Sequence, residues 1–283
     1  MAHPGTTMAG DPRPIGVFDS GMGGLTVLRA LAGRLPEEHF VYLGDTARLP
    51  YGTKSPDTVS AYALQATHLL LGENVKMVVI ACNTASAVAL DALRGALAPV
   101  PVIGVIEPGA RAGVAATRNK RIAVLATEST VRGGAYAKAI HRFMADAEVT
   151  QLACQVFVAL AEEGWTSTRA TAAAVEDYLE PLFARADAPD TLVLGCTHFP
   201  VLAAAIQHHV GDAITLVDSA ETTAAAVAEA LAESALQAGV GRGPQSIRFF
   251  ATDSPERFAR IGAIFLGSAI EDGAVTLVDL KMA

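Results

Sequence analysis

Apolar runs of strand length recur along this chain, separated by stretches in which apolar residues return at helical spacing. A short continuous apolar run suits a strand buried on both faces of a sheet, and an amphipathic stretch suits the helix that crosses over it. The pattern predicts strands over 15–18, 40–44, 77–81, 102–106, 121–126, 149–153, 191–195, 214–218, 247–251 and 275–280. Helices fill the gaps, for example over 25–35, 57–71, 169–183 and 220–238. Such alternation predicts an α/β fold with mainly parallel sheets. So many strands in one sheet would be unusual, and 283 residues suit two domains. Residues 1–13 are expected to form a disordered tail, and the glycine-rich segment 237–245 a loop.

Two segments repeat one design. Lys76 to Ser86 reads KMVVIACNTAS and Asp190 to Pro200 reads DTLVLGCTHFP. In each, an apolar strand runs into a small residue, a cysteine, and polar residues able to cap a following helix. The simplest geometry is two similar halves, each presenting a thiol at the carboxyl end of a strand, where open α/β sheets bind ligands. A helix N-terminus behind such a thiol is expected to lower its pKa from about 8.5 toward neutrality.

Composition narrows the chemistry. The chain is 51% hydrophobic and 18% charged, which excludes disorder as its main state. Its 21 Lys and Arg against 29 Asp and Glu give a net charge of −8, so neither nucleic acid nor an anionic membrane finds a general attraction. No apolar run approaches the roughly 18 to 20 residues of a spanning helix, and the first residues lack the basic start and apolar middle of a secretion signal. A cytoplasmic protein is expected. Three scattered cysteines, Cys82, Cys154 and Cys196, fit reduced thiols better than a disulfide framework.

Other chemistries fit less well. Asp19 to Gly24, DSGMGG, follows a strand and precedes a helix as a dinucleotide fingerprint would, with Asp45 in the place of a ribose-binding acid. The spacing fails, because the third glycine would fall at Thr26. Cys196 and His198 form one Cys-x-His pair, whereas structural metal sites bring close pairs at both ends, so no metal is expected. Neither a P-loop nor a GxSxG elbow occurs. Two thiols could be a redox pair or two bases on opposite sides of one substrate. Their matching placement favours the bases, since racemisation has mirror-image reactants and needs an acceptor on one face with a donor on the other.

At these residues the chain resembles the glutamate racemases of the aspartate/glutamate racemase family. The resemblance spans about 14–238 and rests on GVFDSGMGGLTVL, YLGDTARLPYG, ACNTAS, GVIEPG, LATESTVRGGAY and GCTHFP. It implies two pseudo-symmetric open α/β domains with the active site in the cleft between them. The first would comprise 14–104 plus 219–283 and the second 105–218. It implies cofactor-independent exchange of L- and D-glutamate, Cys82 serving one face of the α-carbon and Cys196 the other, and a supply of D-glutamate for peptidoglycan. Asp19 is implied near the first thiol, with His198 and Glu162 near the second. Family members commonly carry VPLVE where this chain has VALAE, so Ala159 and Ala161 depart from the pattern. Substrate contacts are implied at Asp19, Ser20, Tyr51, Gly52, Asn83, Thr84, Thr127, Thr130, Thr197 and His198, and a homodimer is implied as the assembly. The rivals are a racemase of aspartate or another amino acid, and a glutamate-binding protein without turnover.

Overall fold

The computed structural model describes residues 10–239, 243–271 and 273–280. The chain runs β1 (Ile15–Asp19), α1 (Leu25–Arg34), β2 (Phe40–Gly44), α2 (Pro56–Gly72), β3 (Met77–Ile80), α3 (Asn83–Val88), α4 (Leu90–Ala96) and β4 (Val102–Gly104). It continues through α5 (Ile106–Ala116), β5 (Arg121–Ala126), α6 (Glu128–Gly133), α7 (Ala135–Phe143), β6 (Glu148–Ala153), α8 (Gln155–Glu162), α9 (Arg169–Phe183) and β7 (Thr191–Gly195). The last part is α10 (Ala203–Val210), β8 (Thr215–Asp218), α11 (Ser219–Glu233), β9 (Ile247–Ala251), α12 (Pro255–Leu266) and β10 (Val275–Leu277). Every strand expected from the apolar runs is present, but the one expected over 102–106 ends at Gly104, ahead of α5 at Ile106, and the one expected over 275–280 ends at Leu277.

The strands form two sheets, ordered β10-β9-β2-β1-β3-β4 and β6-β5-β7-β8, and every pairing between described strands is parallel. The central strands β1, β2, β3 and β7 are buried along their whole length, which is why their sequences are apolar without alternation. The two sheets share a topology. Strands β2-β1-β3-β4 of the first correspond in order to β6-β5-β7-β8 of the second. In both, the chain leaves the initial strand toward one side and later returns on the other, which opens a crevice at the carboxyl ends of β1 and β3 and of β5 and β7.

Helix starts follow local chemistry. Ser55 Oγ accepts the Thr58 N–H ahead of α2, whose first residue is Pro56, and Thr168 Oγ1 accepts the Thr171 N–H ahead of α9. Two expectations need correction. The helix expected over 220–238 stops at Glu233, because Ala235 turns to φ 54° and the Leu236 N–H returns to the Leu231 carbonyl. Within the tail expected over 1–13, Asp11 and Arg13 are held in the fold. The Asp11 N–H donates to the Gln237 carbonyl, buried Lys76 donates to the Asp11 carbonyl at 2.9 Å, and Arg13 pairs with Asp11 at 2.6 Å. Residues 1–9 of that tail and 240–242 of the expected loop lie outside the described residues.

Candidate active site

The first thiol is placed by β1 and β3. Phe18 lies opposite Ile80 in that pair, so Cys82 emerges beside Asp19 and Ser20. The second is placed by β5 and β7, where Leu125 lies opposite Leu194, so Cys196 emerges beside Thr127. Cys82 sits two residues past Ile80 and Cys196 two past Leu194, and both line one cavity of about 40 Å³. The cavity is small and reaches solvent between the two sets of loops.

The walls come from both halves. Ser20, Tyr51, Gly52, Cys82, Asn83 and Thr84 line the cavity from the first sheet's loops, and Thr127, Glu162, Cys196, Thr197 and His198 from the second's. Asp19 and Thr130 stand behind that lining. Asp19 is buried, its Oδ2 accepting the Gly21 N–H at 2.9 Å, while the Thr130 hydroxyl lies 3.2 Å from Thr127 Oγ1 and 3.5 Å from Thr84 Oγ1. Leu49, Pro50, Gln155 and Val158 complete the walls and were not anticipated. A usable signal existed for two of them: Gln155, Val158 and Glu162 are spaced i, i+3, i+7 on α8 and share a face.

Two glycines let the halves meet. A Cβ on Gly23 would lie 2.5 Å from the His198 ring and 2.7 Å from Thr197 Oγ1, and one on Gly52 would lie 2.9 Å from the Thr127 Cβ. The glycine-rich turn therefore serves close approach of backbone to side chain. Hydrogen bonds cross the same seam. Thr84 and Thr127 hydroxyls meet at 3.1 Å, Tyr136 Oη donates to Asn83 Oδ1 at 2.8 Å, and Thr26 Oγ1 donates to the Thr197 carbonyl at 3.0 Å.

The expected lowering of the first thiol's pKa is overturned. Burial pushes the Cys82 thiol up to about 12, and the charge of Asp19 adds to the rise. Cys82 does cap α3, its Sγ accepting the Ala85 N–H at 3.5 Å, and its S–H donates to Ser20 Oγ at 3.4 Å. One distant N–H at the start of a six-residue helix does not offset that burial. Burial raises the Asp19 carboxyl too, opposed by the positive charge of His198 and by backbone N–H groups of its own turn.

The second thiol has a different escort. No α-helix begins directly after it; a 3-10 turn over Phe199–Leu202 precedes α10. His198 Nδ1 lies 3.8 Å from Cys196 Sγ, and His198 Nε2 lies 3.2 Å from Glu162 Oε1. Burial disfavours the imidazolium, yet hydrogen bonding to Cys196 and Glu162 and the charges of Cys196 and Asp19 outweigh it and lift His198 to about 10. Burial likewise works against the Glu162 carboxylate, but His198 and Arg257 hold it below its ordinary range. The neighbouring Glu163 is exposed at the end of α8.

The arrangement offers two thiols, an imidazolium paired with a carboxylate, and polar atoms not yet spent. Asn83 Nδ2 and Asp19 Oδ1 are buried without a hydrogen-bond partner among the described residues. One can donate to a substrate carboxylate and the other accept from an ammonium.

Comparison with known proteins bears on the family and the fold. The sequence profile of the Asp/Glu/Hydantoin racemase family matches residues 25–230. A glutamate racemase of Geobacter metallireducens is 48% identical over 92% of this chain and 95% of its own length. Among solved structures, a glutamate racemase isoform of Bacillus anthracis superimposes with a TM-score of 0.88 at 37% identity. The Francisella tularensis glutamate racemase in complex with D-glutamate does so with a TM-score of 0.87 at 36% identity; each comparison covers 95% of this chain and 98% of the other. In sequence over most of its length and in fold, the chain belongs to the Asp/Glu/Hydantoin racemase family.

Proposed function

We propose that this chain interconverts L- and D-glutamate by two-base proton transfer without a cofactor, Cys82 serving one face of the α-carbon and Cys196 the other. The observation that carries it is the pair of thiols delivered into one cavity from equivalent ends of two like-ordered sheets. Glutamate as substrate is supported by the names of the relatives and by the D-glutamate held in the Francisella tularensis structure.

The chemistry runs from the protonation states. Burial keeps Cys82 a neutral thiol at rest, fit to donate. The His198 imidazolium faces the Cys196 sulfur, which carries negative charge when it acts as the base. Cys196 thiolate removes the α-proton from one enantiomer, Cys82 returns a proton to the opposite face, and the reverse reaction exchanges the roles. The carbanion beside a carboxylate is the difficult species. Preorganised donors around this small cavity meet its charge, and closure over the substrate excludes water. Ser20, Asn83, Thr84, Thr127 and Thr197 donate to the two carboxylates, Asp19 accepts from the ammonium, Tyr51 and Gly52 form the facing wall, and Thr130 holds Thr84 and Thr127 in place.

Substrate entry is assigned to two domains that part, 14–104 with 219–283 against 105–218. D-Glutamate for peptidoglycan is the product's use, the cytoplasm the location and a homodimer the assembly. Among the described residues no helix is long and apolar enough to cross a membrane.

The test is incubation with L-glutamate in deuterium oxide after exhaustive removal of metals and pyridoxal phosphate, following optical rotation and the α-proton signal. Inversion with deuterium entering mainly the D-product is expected. Inversion of aspartate alone moves the substrate, and binding of glutamate without α-proton exchange overturns the enzyme.

A further inference from the structure

The Glu162 carboxylate spends its two oxygens in opposite directions. Oε1 meets His198 Nε2 at 3.2 Å, and Oε2 accepts from Arg257 Nη2, also at 3.2 Å. Arg257 lies on α12, which packs on α1 and β10 and so belongs to the layer of the first sheet, while Glu162, His198 and Cys196 belong with the second. Two turns further along the same helix, Phe265 stands edge-on to the His198 ring, with centroids 5.1 Å apart and planes at 77°. One helix thus touches both members of the imidazole and carboxylate pair. It lies beyond residue 230, where the family profile ends.

We propose that Arg257 is a positioning residue for the second acid–base group, holding Glu162 in the orientation that keeps His198 turned toward Cys196. This rests on the racemase function proposed above. The terminal torsion of a glutamate is broad and two-fold, so a carboxylate fixed at one oxygen only still swings. Glu162 is 19% exposed and could turn to solvent; a guanidinium on the second oxygen removes that freedom. Arg257 is itself 44% exposed and sits on the helix surface, so replacing it leaves the core of α12, Phe258, Ile261 and Phe265, untouched.

Racemisation interconverts mirror images, so its equilibrium constant is one and any variant must lose kcat/KM equally in both directions. The side of the defect appears instead in isotope effects. The test compares Arg257→Ala and Arg257→Lys in the full chain, with α-deuterated L- and D-glutamate. Arg257→Ala is expected to lower kcat/KM about tenfold, the order of one charged hydrogen bond, and Arg257→Lys to recover most of that. The α-deuterium isotope effect should grow for the enantiomer that Cys196 deprotonates and shrink for the other. A kcat/KM within about twofold of the parent, or isotope effects that move alike for both enantiomers, overturns the proposal. Imidazole nitrogen NMR of His198 needs no turnover. It should shift in Arg257→Ala and return toward the parent in Arg257→Lys, and unchanged resonances overturn the proposal even if the parent proves not to racemise glutamate. A parent that exchanges no α-proton while its His198 resonances do respond overturns the racemase function and leaves the positioning role standing.

Discussion

The two thiols occupy equivalent places in two sheets of the same strand order, yet their surroundings are opposite in electrical character. Beside Cys82 the initial strand ends in Asp19 and Ser20; at the equivalent positions beside Cys196 stand Ala126 and Thr127. Two residues past Cys82 lies Thr84, and two past Cys196 lies His198. Burial and a carboxylate thus hold the first thiol protonated, whereas an imidazolium locked to Glu162 faces the second. Duplicated backbone geometry delivers both thiols to one cavity. Unlike side chains on that geometry give the two thiols different neighbours, a carboxylate at Cys82 and an imidazolium at Cys196, which a strict repeat would not.

Removing either thiol is the harshest test of that division. Cys82→Ala and Cys196→Ala should each lower racemisation by about 10³-fold or more, since one face then lacks its base or acid. The double variant should lose little further, because the pair acts as a unit. Retained turnover in either single variant breaks the comparison outright.

Next in size is the seam. Gly23→Ala puts a methyl 2.5 Å from the His198 ring and should cost about 10²-fold in kcat/KM by driving the ring from Cys196. Gly52→Ala, whose Cβ meets Thr127 at 2.9 Å, should cost less. Steady-state kinetics on both, with the His198 NMR signals as a position check, ranks them.

The electrical contrast can be sharpened from each side. Asp19→Asn removes the like charge beside Cys82, so alkylation of that thiol by iodoacetamide should begin at lower pH, with the accessibility of Cys196 unchanged. An unmoved profile would mean that burial alone sets the first thiol. His198→Asn acts on the other side. Because the folded protein raises this imidazole from 6.5 to about 10, the stability it contributes is fully present below about 6.5 and is lost as pH rises through about 10. The Tm difference between parent and variant should therefore narrow over that window. A gap constant with pH would mean that the ring contributes packing only.

Thr130→Val is the mildest. It removes a hydroxyl lying 3.2 Å from Thr127 behind the cavity wall and should cost about 1 kcal/mol of stability and little of kcat.

Much of this was legible in the chain. Continuous apolar runs marked the central strands because parallel strands covered on both faces leave no polar alternation, and strand-small-Cys-polar segments marked the two thiols. Helix ends were less legible. Nothing in the alanine-rich stretch after Glu233 announces that Ala235 adopts a left-handed turn, a conformation that glycine usually signals. The glycines of DSGMGG were visible but their purpose was not. A phosphate cradle and a close approach to the loops of the other sheet demand the same residue, and only the position of His198 tells them apart.

The sequence by itself determined the fold class, the order of strands and helices, and which side chains stand at strand ends, since these depend on local periodicity and short-range chemistry. Tertiary structure decided the rest. It set how the Cys82 thiol ionises, because burial and the charge of Asp19 are properties of the assembled cleft. It brought Arg257 to Glu162 across 95 residues, on a helix that nothing nearby in the chain marks as functional. Electrostatic environment is a sum over neighbours in space, and the chain lists its neighbours only in order.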